Sequence, residues 1–307
     1  MDELLIGARV VHFAATASVA GAALFRFLIA DPALRRAGAD AEVWRSSLRI
    51  LMWLALVLVV LSGVAWLFAV AANLGGEVGR VLTDTRFGNA WLVRLALAML
   101  LAFSFGSARL SAVLAACLLG SLAWSGHAGA APGPIGRLHL AVDVLHLLAA
   151  GTWLGGLLPL WLLLRRQAGL AALFATERFS TLGTWAVGGL LVSGILNTCL
   201  LLDTPADLVG TTYGHLLLLK IALFVAMVAI AAVNRLRLAP RLPAEAATRG
   251  LMRNVLAETA LGLVILAVVG VLGTLPPAGG HMIMHLGDVA AGSFSPGAWC
   301  RSYTYCR

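Results

Sequence analysis

The chain has 307 residues, of which 61% are hydrophobic and only 12% are charged, and its mean hydropathy is +0.94. These values exclude an ordinary soluble domain and indicate a protein that crosses the membrane several times. The formal net charge is +8. Because the basic residues lie at the ends of apolar segments and form no soluble basic face, this charge does not indicate nucleic-acid binding.

Eight apolar segments are long enough to span a bilayer. They cover about residues 4–30, 50–72, 88–107, 110–126, 138–164, 179–202, 213–234 and 255–275. The first segment has no basic stretch before it and no convincing cleavage site, so we expect a retained helix rather than a removed signal peptide. The sequence therefore predicts an all-α polytopic membrane protein with eight transmembrane helices.

Arginine is concentrated in the loops that follow the first, third, fifth and seventh segments. These arginines are Arg35, Arg36, Arg45, Arg49, Arg109, Arg165, Arg166, Arg178, Arg235, Arg237, Arg241, Arg249 and Arg253. The loops on the other side contain only Arg80, Arg86 and Arg137. The positive-inside rule then predicts that both termini lie on the outer side of the membrane.

The two halves of the chain resemble each other. His12 precedes Gly21 by nine residues, and His146 precedes Gly155 by the same interval. The second helices share Leu61-Ser62-Gly63-Val64 and Val192-Ser193-Gly194-Ile195, in which small residues favour close helix approach. The third helices share an aromatic residue, a glycine and a cation, in Phe87-Gly88 with Arg94 and in Tyr213-Gly214 with Lys220.

This similarity predicts two parallel-oriented four-helix repeats, because each unit has an even number of spans. The first repeat covers residues 1–126 and the second covers residues 138–276. An outer loop, residues 127–137, joins them, and residues 277–307 form a periplasmic tail. Functional sites are expected between the two repeats.

A polar stripe lies in the fifth segment. At about 100° per residue, His139, Asp143 and His146 project within roughly 40° of one another on a helix. An ionisable side chain in hydrocarbon costs several kcal/mol unless it faces a partner, a cavity or an ion. The stripe therefore predicts a ligand, although a hydrogen bond from an adjacent imidazole to Asp143 is the structural alternative.

Every histidine falls in the predicted outer half or outside the membrane. The histidines are His12, His127, His139, His146, His215, His281 and His285. This distribution favours a site that faces the periplasm.

Two cations lie about 9 Å inside their helices, six residues beyond a glycine. They are Arg94 and Lys220, and Lys220 is the only lysine in the chain. Each either snorkels to the surface or has a specific partner. The functional interpretations are an ion pair with Asp143 and a contact to an anionic group such as a porphyrin propionate.

The tail contains two imidazoles and two thioethers within five residues, in His281, Met282, Met284 and His285. Such a set suits copper capture, although an accidental composition or a disordered extension is the competing interpretation. Three residues of the second repeat, Trp153, Gly155 and Gly156, are interpreted as packing elements. Asn197 could supply a ligand, but it is expected to tie two helices together. Glu258 could receive an ion on exit, but it is expected to pair with Arg253.

In its motifs the chain resembles the copper resistance protein D family of bacterial inner-membrane proteins. The resemblance rests on Ser125-Gly126-His127-Ala128, on Asp143 to Leu157, on Arg178-Phe179-Ser180, on Ser193 to Asn197, on Tyr213-Gly214 with Lys220, on Asn234-Arg235, and on Glu258 before Pro276-Pro277. It implies an eight-helix bundle that handles copper, often alongside a periplasmic copper-binding partner of the CopC-like kind.

The sequence thus predicts a protein that moves copper ions through a His/Asp-lined site on the periplasmic side. Imidazole, thioether and carboxylate all bind copper, in one or other oxidation state. The predicted metal ligands are His12, His127, His139, Asp143, His146, His281, Met282, Met284 and His285. No nucleotide or hydrolase signature is present, so an enzyme is not expected.

Two alternatives remain open. The chain also looks like a relative of the membrane protoporphyrinogen oxidase family, which implies a haem b redox protein. In that interpretation His12 and His146 are axial ligands, while Arg94 and Lys220 meet the propionates. The other alternative is an accessory protein that binds copper without moving it.

Overall fold

The computed structural model describes residues 2–126, 133–202 and 204–275. The α-helices in chain order are α1 (Asp2–Phe25), α2 (Asp31–Ala37), α3 (Glu42–Asn73), α4 (Val78–Asp84), α5 (Arg86–Ser104), α6 (Ala108–Gly120), α7 (Gly133–Arg166), α8 (Leu170–Leu201), α9 (Asp207–Gly210), α10 (Thr212–Val233) and α11 (Glu245–Leu272). Within the described ranges, eight helical segments are long and apolar enough to cross a membrane. The predicted all-α, eight-span architecture is confirmed.

Several helices are longer than the apolar segments that predicted them. The second predicted segment starts near residue 50, whereas α3 begins at Glu42, and α8 begins at Leu170 instead of about residue 179. The additional turns contain residues such as Arg45 and Arg49, which form helices readily. Hydropathy reports only the part of a helix that lies in hydrocarbon, so it underestimates the helix itself.

The central helix of the bundle is α1, which packs against α3, α6, α7 and α11. At its crossing with α7, Gly21 and Gly155 face each other. A Cβ atom on Gly155 would overlap the carbonyl oxygen of Ala17 and lie 2.9 Å from the Cα atom of Gly21. The packing role predicted for Gly155 is confirmed, as is that of Gly156, where a Cβ atom would lie 2.8 Å from the Phe179 ring.

The third helix of each predicted repeat begins in the same way. A short helix, α4 or α9, precedes α5 or α10. The hydroxyl oxygen of Thr85 accepts a hydrogen bond from the Gly88 N–H over 3.0 Å, and Thr211 accepts one from Gly214 over 2.9 Å. This local match supports an internal repeat, while the boundaries at residues 126 and 138 stay a prediction.

Candidate functional site

One end of the bundle, where α1 begins and α8 ends, carries most of the sequence-predicted polar residues. This end is called the N-terminal face here. The side chain of His139 is 2% exposed, and its Nδ1 atom has no hydrogen-bond partner among the described residues. Asp143 and His146 are half-buried. Both face α8, where Asn197 donates to the Asp143 carboxylate over 3.4 Å.

His146 is held by a serine of α8. Its Nδ1 atom lies 2.9 Å from the Ser193 hydroxyl oxygen, and that hydroxyl donates to the Gly189 carbonyl. Because a hydroxyl has a single proton to donate, the Nδ1–H of His146 is the donor in the first bond. The neutral ring then presents the lone pair of Nε2, the form in which imidazole binds a metal.

The same arrangement is found around His12. Its Nδ1 atom lies 3.1 Å from both the Val59 carbonyl oxygen and the Ser62 hydroxyl oxygen, and Ser62 donates to the Leu58 carbonyl. The ring is 2% exposed, and its Nε2 atom has no hydrogen-bond partner within the described part of the chain. Each half therefore holds one histidine with Nε2 available as a ligand atom.

The glycine after each serine lies beside the imidazole, closely in the first half and at ordinary contact distance in the second. A Cβ atom on Gly63 would lie 3.3 Å from Cε1 of His12, and one on Gly194 would lie 3.8 Å from Cε1 of His146. The Ser-Gly pairs were predicted to let helices approach closely. Sequence reasoning missed the hydrogen bonds between these serines and the histidines, although the similar spacing of the pairs, 50 residues in the first half and 47 in the second, was the available signal.

The surroundings of His12 are cationic and aromatic. Arg94 is 3% exposed and donates to the Ser121 carbonyl over 3.2 Å and to the Ser125 hydroxyl. Its guanidinium carbon lies 5.6 Å from the centroid of the Trp66 ring, against which His12 packs edge-on at 5.5 Å. Arg9 lies over the same indole at 5.3 Å.

The surroundings of His146 are of mixed charge. Lys220 is near enough to interact electrostatically with both Asp143 and His146. The described residues contain no salt bridge between Lys220 and Asp143. Lys220 therefore lies near Asp143 without forming an ion pair with it.

The predicted metal ligands do not all come together. The described residues contain no group of three or more His, Cys, Asp or Glu side chains that are placed to hold one metal ion. His127 and the tail residues His281, Met282, Met284 and His285 lie outside the described residues. The full ligand set therefore stays a prediction.

The interpretation of Glu258 as a partner of Arg253 was wrong. Glu258 is 2% exposed and accepts a hydrogen bond from the side-chain amide of Asn234 over 2.7 Å. No salt bridge joins it to Arg253 in the described part of the chain. Residues five apart lie about 140° apart around a helix, so the exposed Arg253 and the buried Glu258 lie on different faces of α11.

These features define a class: a polytopic helical membrane protein whose two halves each hold a histidine on a Ser-Gly pair beside a buried cation. Comparison with known families identifies it further. Residues 1–137 match the N-terminal domain model described as copper resistance protein D-like, and residues 173–272 match the copper resistance protein D model.

Three curated proteins are similar to this chain. Inner membrane protein YebZ of Escherichia coli (strain K12) is 33% identical over 89% of this chain and 98% of its own length. Copper resistance protein D of Pseudomonas syringae pv. tomato is 29% identical over 90% of this chain and 97% of its own. Copper transport protein CutJ of Bacillus subtilis (strain 168) is 31% identical over 66% of this chain and 39% of its own. The chain belongs to the copper resistance protein D family.

Proposed function

We propose that this protein moves copper ions across the bacterial inner membrane. One observation carries the proposal. The Asp143 carboxylate and the His146 imidazole, whose Nε2 lone pair is available, lie on one face of an otherwise apolar helix. The proposal is supported by the names of the similar proteins, which refer to copper resistance, copper transport and the inner membrane.

The distribution of arginine supports a periplasmic location for the N-terminal face. Most arginines lie in loops at the opposite end of the bundle, which is the cytoplasmic end by the positive-inside rule. Copper then reaches Asp143 and His146 from the periplasm, past His139 one turn nearer the surface. His127 and the tail residues His281, Met282, Met284 and His285 are the proposed outer ligands, and a soluble copper-binding protein is the proposed donor.

A charge difference between the halves favours the second half as the metal site. Asp143 lies three residues before His146, and the residue three before His12 is Arg9. A carboxylate attracts a metal cation, whereas two guanidiniums, Arg9 and Arg94, repel it. We therefore assign the primary copper site to Asp143 and His146, and give His12 a secondary part in the predicted ligand set.

The decisive experiment measures copper binding and cellular copper uptake for His146→Ala. Loss of a ligand nitrogen is expected to lower copper affinity by about 100-fold or more, since changes outside the ligand shell alone cost roughly 10- to 100-fold. His215→Ala is the matched control, because His215 of α10 is exposed and bonds to the Val209 carbonyl of the preceding short helix, α9. Unchanged binding and uptake in His146→Ala would rule out the proposed site.

A haem b protein is the second candidate, favoured by the matching geometry of the two halves. His12 and His146 both present Nε2, the atom that ligates haem iron, and Arg94 and Lys220 lie near them. Protein purified from cells with ample haem is expected to show a Soret band if this alternative holds. Copper with no Soret band in the same folded sample supports copper transport instead.

A further inference from the structure

A carboxyl group lies buried in the middle of the last helix, far from the site at the N-terminal face. Glu258 is thirteen residues from the start of α11, about 20 Å along the helix, and is 2% exposed. Acidic residues at membrane depth are costly and typically line substrate or ion pathways. The copper site proposed above does not use this group.

Glu258 is fixed by a chain of amides. The Asn234 amide donates to its carboxylate over 2.7 Å, and the Asn254 amide donates to the Asn234 oxygen over 2.8 Å. Trp153 of α7 lines the same cavity as this carboxyl group. Asn234 begins a π-helical turn that continues α10, a distortion that is frequent at functional sites.

The carboxyl group borders a cavity of about 230 Å³ between α7, α8, α10 and α11. At about 30 Å³ per water molecule, this volume accommodates several waters around an ion. Ser180 and Thr184 of α8 line it with hydroxyl groups. Arg235 also lines the cavity, and its guanidinium donates to both hydroxyl groups. It forms no salt bridge with Glu258 in the described residues.

The cavity is aligned with the copper site along α7. Trp153, which lines the cavity, follows His146 by seven residues, or about 10 Å and close to two full turns. The two side chains therefore share a face of the helix. The cavity therefore lies along the His146 face of α7, on the side toward the opposite end of the bundle.

We infer that Glu258 and this cavity form a second cation site, through which copper leaves toward the cytoplasmic end; the inference rests on the proposed copper transport. The site offers one carboxylate with amide and hydroxyl oxygens, which bind copper less tightly than imidazole or sulfur ligands. Conduction requires such sites to be several and only moderately tight. Glu258 supplies the negative charge, and the cavity supplies the space for water.

The first test compares Glu258→Gln with the wild-type protein in copper-loaded proteoliposomes. Glutamine keeps the length and an acceptor oxygen for Asn234 but removes the charge. Copper bound at the outer site is expected to stay unchanged, while the maximal copper flux falls at least about 10-fold. Glu245→Gln on the same helix is the control, because Glu245 is exposed and pairs with Arg249.

A second variant tests the cavity without touching the buried acid. Ala232 is exposed and lines the cavity, so Ala232→Trp fills it from the outside. Ala229→Trp, three residues earlier at an exposed position outside the cavity lining, is the matched control. We expect Ala232→Trp to lose flux with normal copper binding, and Ala229→Trp to behave as the wild type.

The outcomes separate this inference from the proposed function. A wild-type protein that binds copper but does not move it overturns both. A conducting wild type with unchanged flux in Ala232→Trp and in folded Glu258→Gln overturns the second site alone. If Glu258→Gln fails to fold, the copper flux of Ala232→Trp alone decides whether the second site exists.

Discussion

Replacing Asp143 by asparagine should lower copper flux about 100-fold or more without unfolding the protein. The two side chains have the same shape, and asparagine retains an oxygen that accepts from Asn197. The change removes a negative charge beside the metal. The attraction between this charge and the metal ion is on the order of 3 kcal/mol at an effective dielectric constant of about 20. The measurement is initial copper uptake into proteoliposomes, with the amount of folded protein determined in parallel.

Lys220 provides the second arm of this experiment. Its positive charge acts on Asp143 and His146, so it competes with a bound copper ion. Lys220→Gln alone is expected to tighten copper binding roughly 10-fold and to slow release, because a repulsion of about 1 kcal/mol or more is removed. In the Asp143→Asn background Lys220 and copper no longer compete for the Asp143 carboxylate, so the same change should have a smaller effect, and this difference measures the coupling of the pair.

Asp84→Asn is the control for the loss of an acid, since Asp84 is exposed at the end of α4. It should transport copper at the wild-type rate. Equal flux in Asp143→Asn and in the wild type would show that the carboxylate plays no part in the route. Additive effects of the Asp143 and Lys220 changes would show that the two side chains act independently.

Hydropathy predicted the architecture because the bilayer imposes a single length scale. Each of the eight apolar segments appears as a helix. The helix ends were predicted less well, since charged turns such as those at the start of α3 leave no hydropathy signal. The packing of Gly155 was predictable because only a small residue permits such a helix crossing.

Helical periodicity predicted the polar stripe on α7 but not its neighbours. It places Asp143 and His146 on one face, and both do face α8, where they meet Asn197 and Ser193. Periodicity contains no information about which helix lies opposite, so Ser193 was assigned to helix packing alone. For the same reason the Asn234–Glu258 pair, which joins two helices, was outside the reach of sequence reasoning.

Replacing Gly155 by leucine should prevent stable folding. A Cβ atom at this position meets the carbonyl oxygen of Ala17 and the Cα atom of Gly21. Both are backbone atoms of α1, so no side chain can rotate away, and the helices must separate. Overpacking of a close contact typically costs 1 to 3 kcal/mol, and we expect more than about 3 kcal/mol here because α1 also packs on α3, α6 and α11.

The measurement is the thermal stability of the detergent-solubilised protein, followed by size-exclusion fluorescence. Gly188→Leu is the matched control, since a Cβ atom on Gly188 of α8 meets nothing within 4 Å. Gly151→Ala should have a thermal stability between those of the other two variants, because its Cβ atom would meet the flexible side chain of Leu119 and not backbone. A Gly155→Leu protein as stable as Gly188→Leu would contradict the close helix crossing.

The Gly155 contact also sets how closely α1 and α7 approach each other, and each of these helices holds one of the two histidines. The Gly21–Gly155 crossing lies nine residues from each of His12 and His146, about 13 to 14 Å along α1 and α7. Helices pushed apart at the crossing therefore carry the two imidazoles apart as well. Gly155→Ala should accordingly reduce copper flux by more than its loss of stability accounts for, whereas Gly151→Ala, which displaces only a leucine side chain, should change flux in proportion to stability.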